Sequence, residues 1–204
     1  MNRLPWERPL KAVLFLGALA PFLVLLFDAF TDGLGADPVK SITHRTGWWT
    51  ITLLLVTLSV TPIRRVTGLN RLIQQRRMLG LFAFFYATLH FLTYVVLDQT
   101  LDLSYVGEDI AKRPYITVGF TAWLLLIPLA VTSTKGWIRR LGKRWTRLHR
   151  LIYLVAVLGT IHFYWQVKKD VREPLIFAGI LLVLLAFRLI PRRSARKRAM
   201  DVTS

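Results

Sequence analysis

The stretch Leu148–Val167, LHRLIYLVAVLGTIHFYWQV, decides how this chain is read. It is apolar over a length that, as a helix, covers the roughly 30 Å of a bilayer's hydrocarbon. Yet it carries His149 at one end and His162 near the other. Imidazole is costly to bury in hydrocarbon without a partner, so ionisable residues in such a run mark function. Five further apolar runs accompany it, at about 10–30, 48–63, 78–97, 115–131 and 175–190. All six lie at or near the roughly 17–25 residues of a spanning helix. They are continuous rather than alternating, which excludes barrel strands and leaves helices as the way to satisfy the backbone in lipid. The expected fold is an all-α integral membrane protein, a six-transmembrane-helix bundle forming a single domain over residues 1–204, with helices at about 10–30, 48–63, 78–97, 115–131, 148–167 and 175–190.

The formal charge of +17 on 204 residues would fit a nucleic-acid binder if the chain were soluble. Its distribution gives a simpler account. With the N-terminus inside, the Lys and Arg left outside are Lys40, Arg45, Lys112, Arg113, Lys168, Lys169 and Arg172, whereas the acids left inside are only Glu7 and Asp201. Lys/Arg bias in short loops sets orientation, so both termini are expected in the cytoplasm and no nucleic acid is needed. The run at 192–198, RRSARKR, reads as a polybasic tail attracted to anionic lipid. The first run ends in Phe27-Asp28-Ala29-Phe30 without a small-residue cleavage site, which reads as an uncleaved helix. The external loop at 31–44 holds the breakers Gly33, Gly35 and Pro38, and the acidic one at 98–114 is the longest. Trp137 and Trp145 among arginines read as interfacial anchors. No internal repeat stands out.

The chain has no cysteine, which excludes disulfides, thiolate-held iron–sulfur clusters and covalent haem attachment within it. Neutral imidazole is the usual axial ligand of haem iron, and two helices offering one each can hold the macrocycle between them. His90, in the run at 78–97, and His162 are each about twelve to fourteen residues past the inner start of their helices, which puts them at one depth in the outer half of the membrane. His149 lies roughly 20 Å further in, and thirteen residues at about 100° leave it some 140° out of phase with His162, so one straight helix does not turn both rings to one face. Arg76 and Arg77 are level with His149 on the inner side and are suited to headgroups, haem propionates, a flavin phosphate or a quinone carbonyl. The competing reading of a membrane histidine is an interhelical hydrogen bond, that of His149 an interfacial residue, and that of His44, beside Arg45, an ordinary surface residue.

Taken together, the histidine in the third helix, the pattern Arg147-Leu148-His149-Arg150-Leu151-Ile152-Tyr153 followed by His162, and Arg76-Arg77-Met78-Leu79-Gly80 resemble the ferric-reductase-like transmembrane superfamily, which includes the NADPH oxidases. With no stretch long enough for a dehydrogenase domain, the sequence is most similar to one branch, the haem-binding membrane subunits of bacterial periplasmic protein-methionine-sulfoxide reductase systems. The resemblance implies a multi-pass protein of the bacterial inner membrane carrying b-type haem, one or two per chain, with FMN associated. It implies electrons taken from the quinol pool or a cytosolic flavin reductase and passed to a periplasmic molybdenum-containing subunit that repairs oxidised methionine, so that this chain performs no sulfoxide chemistry itself. By position, His90 and His162 would ligate an outer haem, and His149, with Arg76 and Arg77, would serve an inner cofactor. Oxidase relatives have a second third-helix histidine where Arg76 stands here. The acidic loop from Asp98 to Asp109 is the expected docking patch for the partner. Other readings are a ferric or quinone reductase with another acceptor, or a haem-free membrane transporter or scaffold. Transporters show paired, interrupted helices at midplane, and Pro21 and Pro128 are too isolated to form such a pair.

Overall fold

The runs of apolar sequence become helices in the computed structural model, which describes residues 7–167 and 169–190. The tail at 192–198, Arg3 and Lys168 lie outside the described residues. In chain order the helices are α1 (Glu7–Phe30), α2 (Pro38–Thr67), α3 (Arg76–Thr93), α4 (Leu103–Lys112), α5 (Pro114–Val131), α6 (Lys135–Leu141), α7 (Lys143–Leu148), α8 (Leu151–Gln166) and α9 (Arg172–Leu189). A short 3₁₀ turn, Asn70–Gln74, precedes α3, and a π-helical turn, Tyr94–Asp98, continues it. Among the described residues, five segments are both long and apolar enough to cross a membrane: Pro9–Phe30, Pro38–Thr67, Asn70–Asp98, Pro114–Val131 and Lys143–Gln166. The apolar run expected as a sixth span forms the helix α9, whose 18 residues carry three charges, Arg172, Glu173 and Arg188, at their two ends.

Three boundaries differ from the sequence reading, each for a local reason. α2 begins ten residues early because Pro38 starts the helix instead of breaking it. Its missing N–H and fixed φ suit the first turn, and the Asp37 carboxylate accepts a hydrogen bond from the Lys40 N–H at 3.0 Å. The 30-residue α2 is about 45 Å long, so its ends stand beyond the hydrocarbon. It stops at Gly68, whose φ of 72° lets its N–H return to the Arg64 carbonyl. The second difference is in the acidic loop at 98–114, which contains α4, capped by the Asp102 carboxylate on the N–H groups of Ser104 and Tyr105. The third is in the run 148–167, which is not one helix. α7 ends at Leu148, and tight bonds from the Arg150 N–H to the Arg147 carbonyl and from the Tyr153 N–H to the Arg150 carbonyl form a 3₁₀-type turn before α8. That break absorbs the phase conflict between His149 and His162.

The core runs through Leu54 and Leu58 of α2, Ala83 and Tyr86 of α3, and Val155 and Ala156 of α8, all almost fully buried. α3 packs most extensively on α2, and α8 on α5. α1 is largely exposed but adds Ala18 to this core, and it is tied there where the Tyr86 hydroxyl donates to the Ala18 carbonyl at 2.8 Å. α9 is tied by a cation. Pro62 has no N–H for the carbonyl one turn back, that of Leu58, and the Arg188 guanidinium reaches over from α9 to donate to it at 2.9 Å. The same guanidinium also donates to the Tyr153 hydroxyl and lies 4.6 Å from that ring's centroid. A carbonyl left bare in lipid is expensive, so Arg188 at once satisfies α2 and pins α9.

Arg188→Lys, which keeps the charge but loses the fork, is expected to destabilise the protein in detergent by roughly 1–2 kcal/mol. The loss should shrink in a Pro62→Ala background, where an ordinary helical N–H serves the Leu58 carbonyl. A double-mutant cycle showing strict additivity would contradict this coupling.

Candidate functional site

His90 projects from α3 and His162 from α8, and the two rings meet at the α4 end of the bundle with centroids 6.0 Å apart and planes crossed at 80°. Each is held by a backbone carbonyl on the neighbouring helix. His90 Nδ1 donates to the Thr43 carbonyl at 2.9 Å and His162 Nδ1 to the Tyr115 carbonyl at 2.7 Å. A carbonyl can only accept, so the proton of each neutral ring is on Nδ1 and the lone pair is on Nε2. Ligating histidines are oriented by this kind of second contact. Each ring also rests on a glycine. A Cβ on Gly47 would come within 3.1 Å of the His90 ring, and one on Gly119 within 2.7 Å of the His162 ring. The rings are half-buried because they face a cavity of about 420 Å³, a size typical of cofactor sites. Its walls include Leu54, Phe91, Trp123 and Leu126, and its outer rim includes Lys40 and Arg113.

The other expected site residues gather at the opposite end. His149 forms the junction of α7 and α8, stacked on Trp145 with centroids 3.9 Å apart. Its Nε2 lies 3.1 Å from the Thr132 hydroxyl, which itself donates to the Pro128 carbonyl at 2.6 Å. A hydroxyl that has given its proton away must accept, so His149 carries its proton on Nε2, the reverse of the other two. The Trp145 indole N–H closes the group by donating to the Thr132 carbonyl at 2.9 Å. Arg76, half-buried in the first turn of α3, is close enough for its charge to act on His149 and on Arg188. Arg77 is exposed and is not brought to His149 in this way. His44 is exposed and lines the rim of the outer cavity.

Residues 46–160 match the family model described as the ferric reductase like transmembrane component. A protein of Xanthomonas axonopodis pv. citri named protein-methionine-sulfoxide reductase heme-binding subunit MsrQ is 52% identical over 193 residues, covering 92% of this chain and 88% of that one. The protein of the same name from Herminiimonas arsenicoxydans is 52% identical over 182 residues, covering 88% and 84%. The chain belongs to the MsrQ family.

The name MsrQ makes haem the group against which the site must be tested. Two imidazoles that share one metal through Nε2, at about 2 Å each and with the nitrogen roughly 1 Å from each centroid, have centroids about 6 Å apart. The rings of His90 and His162 already stand at 6.0 Å. Among the described residues no group of three or more His, Cys, Asp or Glu is placed to hold a bare metal ion. A two-histidine site therefore suits a metal that brings its own equatorial ligands, as haem iron does. The residues fit. The sequence reading named both rings of this pair in the MsrQ-family chain, but missed Gly47, Gly119 and the carbonyls of Thr43 and Tyr115, as well as the Thr132–Trp145 pair around His149. Backbone acceptors leave no residue signature.

The haem-free protein, labelled with ¹⁵N-histidine, is expected to show the Nδ1–H tautomer for His90 and His162 and the Nε2–H tautomer for His149 in solid-state NMR spectra. One tautomer shared by all three would contradict these hydrogen-bond assignments.

Proposed function

We propose that this chain is the haem-bearing electron-transfer subunit of a methionine-sulfoxide reductase system, in which it relays electrons across the bacterial inner membrane and does no sulfoxide chemistry. The observation that carries this reading is the His90–His162 pair, with the rings 6.0 Å apart and both Nδ1 protons committed to carbonyls, which leaves both Nε2 lone pairs unused by those bonds. In this reading α9 is the sixth crossing, both termini are cytoplasmic, and the whole chain is one membrane domain. The Lys/Arg distribution supports that orientation.

Haem held between His90 and His162 supplies a one-electron carrier in the outer half of the membrane, and without cysteine it is the non-covalent b type. The residues do the rest. Thr43 and Tyr115 keep the two rings in one tautomer, and the apolar walls keep water from the buried edge. Lys40 and Arg113, the latter paired with Asp109 at 3.0 Å, stand at the rim with Asp37 and Asp98, and these two cations are the donors within reach of where the carboxylates of a porphyrin would emerge. Tyr115 lies nearly parallel to the His162 ring at 6.3 Å and helps close the outer side.

At the other end His149 and Arg76 form an inner cofactor site, with the exposed Arg77 beside Arg76 in the first turn of α3. His149 Nε2 is already engaged by Thr132, which favours a contact with a flavin or quinol over iron ligation there. Arg76 and Arg77 in the first turn of α3 oppose the helix dipole, an electrostatic cost that an anionic phosphate or propionate would relieve. The donor is then the quinol pool or a cytosolic flavin reductase, with FMN as the associated flavin. The acceptor is a periplasmic molybdenum-containing catalytic subunit, docked at the acidic segment around α4. This assignment follows the printed name of the relatives, which are heme-binding subunits of a protein-methionine-sulfoxide reductase.

His90→Ala and His162→Ala are each expected to lose the outer haem completely, as counted per chain by pyridine haemochrome. His149→Ala should retain that haem and be reduced more slowly by the donor. A full haem complement in either of the first two variants would overturn the outer assignment, and wild-type reduction kinetics in the third would overturn the inner one.

A further inference from the structure

The two best-packed helix pairs, α2 with α3 and α5 with α8, carry the same device twice. Thr88-Leu89-His90-Phe91 in α3 recurs as Thr160-Ile161-His162-Phe163 in α8. Each histidine bonds through Nδ1 to the carbonyl of the residue 47 positions before it, Thr43 in one case and Tyr115 in the other. Each ring then lies on the glycine one helical turn after that carbonyl, Gly47 or Gly119, each of which is followed by an aromatic residue, Trp48 or Phe120. The coincidence extends over the acceptor, the glycine, the spacing and the local sequence, so it marks an internal repeat. The repeat is not continued at the other end, where the Thr132–His149 contact has Val60 and Arg77 as counterparts.

We propose that each copy is a clamp, in which the carbonyl fixes Nδ1 and the glycine fixes the rotation of the ring, making Gly47 and Gly119 positioning residues that set the crossed orientation of two axial imidazoles. The proposal rests on the haem reading given above. The physical argument is one of two constraints. Tethered at its Cβ and held by one hydrogen bond, an imidazole can still tilt through small turns of χ1 and χ2, and a wall on one side restricts that tilt. Glycine leaves room for the ring at both places: a methyl group at Gly119 would sit 2.7 Å from His162 Nδ1 and 2.8 Å from Cε1, closer than a Cβ can stand, and one at Gly47 would sit 3.1 Å from both atoms of His90, so that the ring must give by a few tenths of an ångström. Because the ring cannot leave its carbonyl cheaply, it must turn. The result is two rings whose planes cross at 80°, and second-contact orientation of this kind is one of the means by which proteins tune a bound metal.

The test is low-temperature electron paramagnetic resonance on the oxidised, haem-loaded full chain. Crossed imidazole planes give ferric low-spin haem a strongly anisotropic signal, whereas parallel planes give a rhombic one, so the spectrum reads ring orientation directly. The wild type should show the strongly anisotropic form. Gly119→Ala, and to a smaller extent Gly47→Ala, should move its low-field feature and lose part of the haem. Gly80→Ala, where a Cβ meets only Thr57 Cγ2 at 3.8 Å, and Gly179→Ala, where it meets nothing within 4 Å, should leave the spectrum unchanged. Should Gly119→Ala fail to fold, the milder Gly47→Ala decides alone. Haem present in the wild type with unshifted spectra in the Gly47 and Gly119 variants overturns the clamp and leaves the haem reading intact. A wild type that takes up no haem overturns both.

Discussion

Two hydrogen bonds, from His90 Nδ1 to the Thr43 carbonyl and from His162 Nδ1 to the Tyr115 carbonyl, hold the account together. In lipid a polar side chain must find a partner inside the protein, and each such bond contributes on the order of 1 kcal/mol. Here the partner does more than repay burial. It selects the tautomer, orients the ring, and ties the two histidine-bearing helices to their neighbours. The cavity between the pairs, the glycines beneath the rings and the overlong α2 that carries Thr43 and Gly47 all follow from placing those two carbonyls where the rings can reach them.

The same rule governs the rest of the bundle. At three carbonyls along the helices, a side chain from another helix serves as donor. Arg188 reaches the Leu58 carbonyl that Pro62 leaves open, Tyr86 reaches the Ala18 carbonyl, and Trp145 reaches the Thr132 carbonyl at the end of α5. Each of these contacts also fixes one helix against another, so polar satisfaction and tertiary arrangement are solved together. The contrast between the two ends of the molecule has the same origin. At the α4 end the histidines commit their Nδ1 protons to carbonyls, which leaves the Nε2 lone pairs unprotonated. At the α6–α7 end His149 spends its Nε2 proton on Thr132 and offers a stacked, hydrogen-bonded surface.

Much of this was legible in the chain itself. Continuous apolar runs gave the helices, because membrane helices must satisfy their own backbone and leave little freedom of interpretation. His90 and His162 could be paired by depth from helix rise alone. What escaped has a physical reason in each case. Pro38 read as a breaker because proline serves a helix start and a turn equally well, and only the Asp37 cap distinguishes them. Arg188 hid in an apolar run because its partner is a carbonyl, which has no letter of its own. The break at His149 was foreshadowed by the phase conflict with His162, but its position was set by Thr132 and Trp145, which come from another segment. The repeated Thr-x-His-Phe was present to be read, yet its meaning depended on partners 47 residues away.

The central claim is that the crossed pair of histidines holds a b-type haem that can be reduced in place. The most direct measurement is the dithionite-reduced minus oxidised visible spectrum of the purified wild-type protein, expressed with ample haem supply. A sharp low-spin α-band of the b type, at its position for two imidazole ligands, is the expected result. A protein that carries no haem under those conditions, or whose haem shows a high-spin, single-ligand spectrum, would contradict the account.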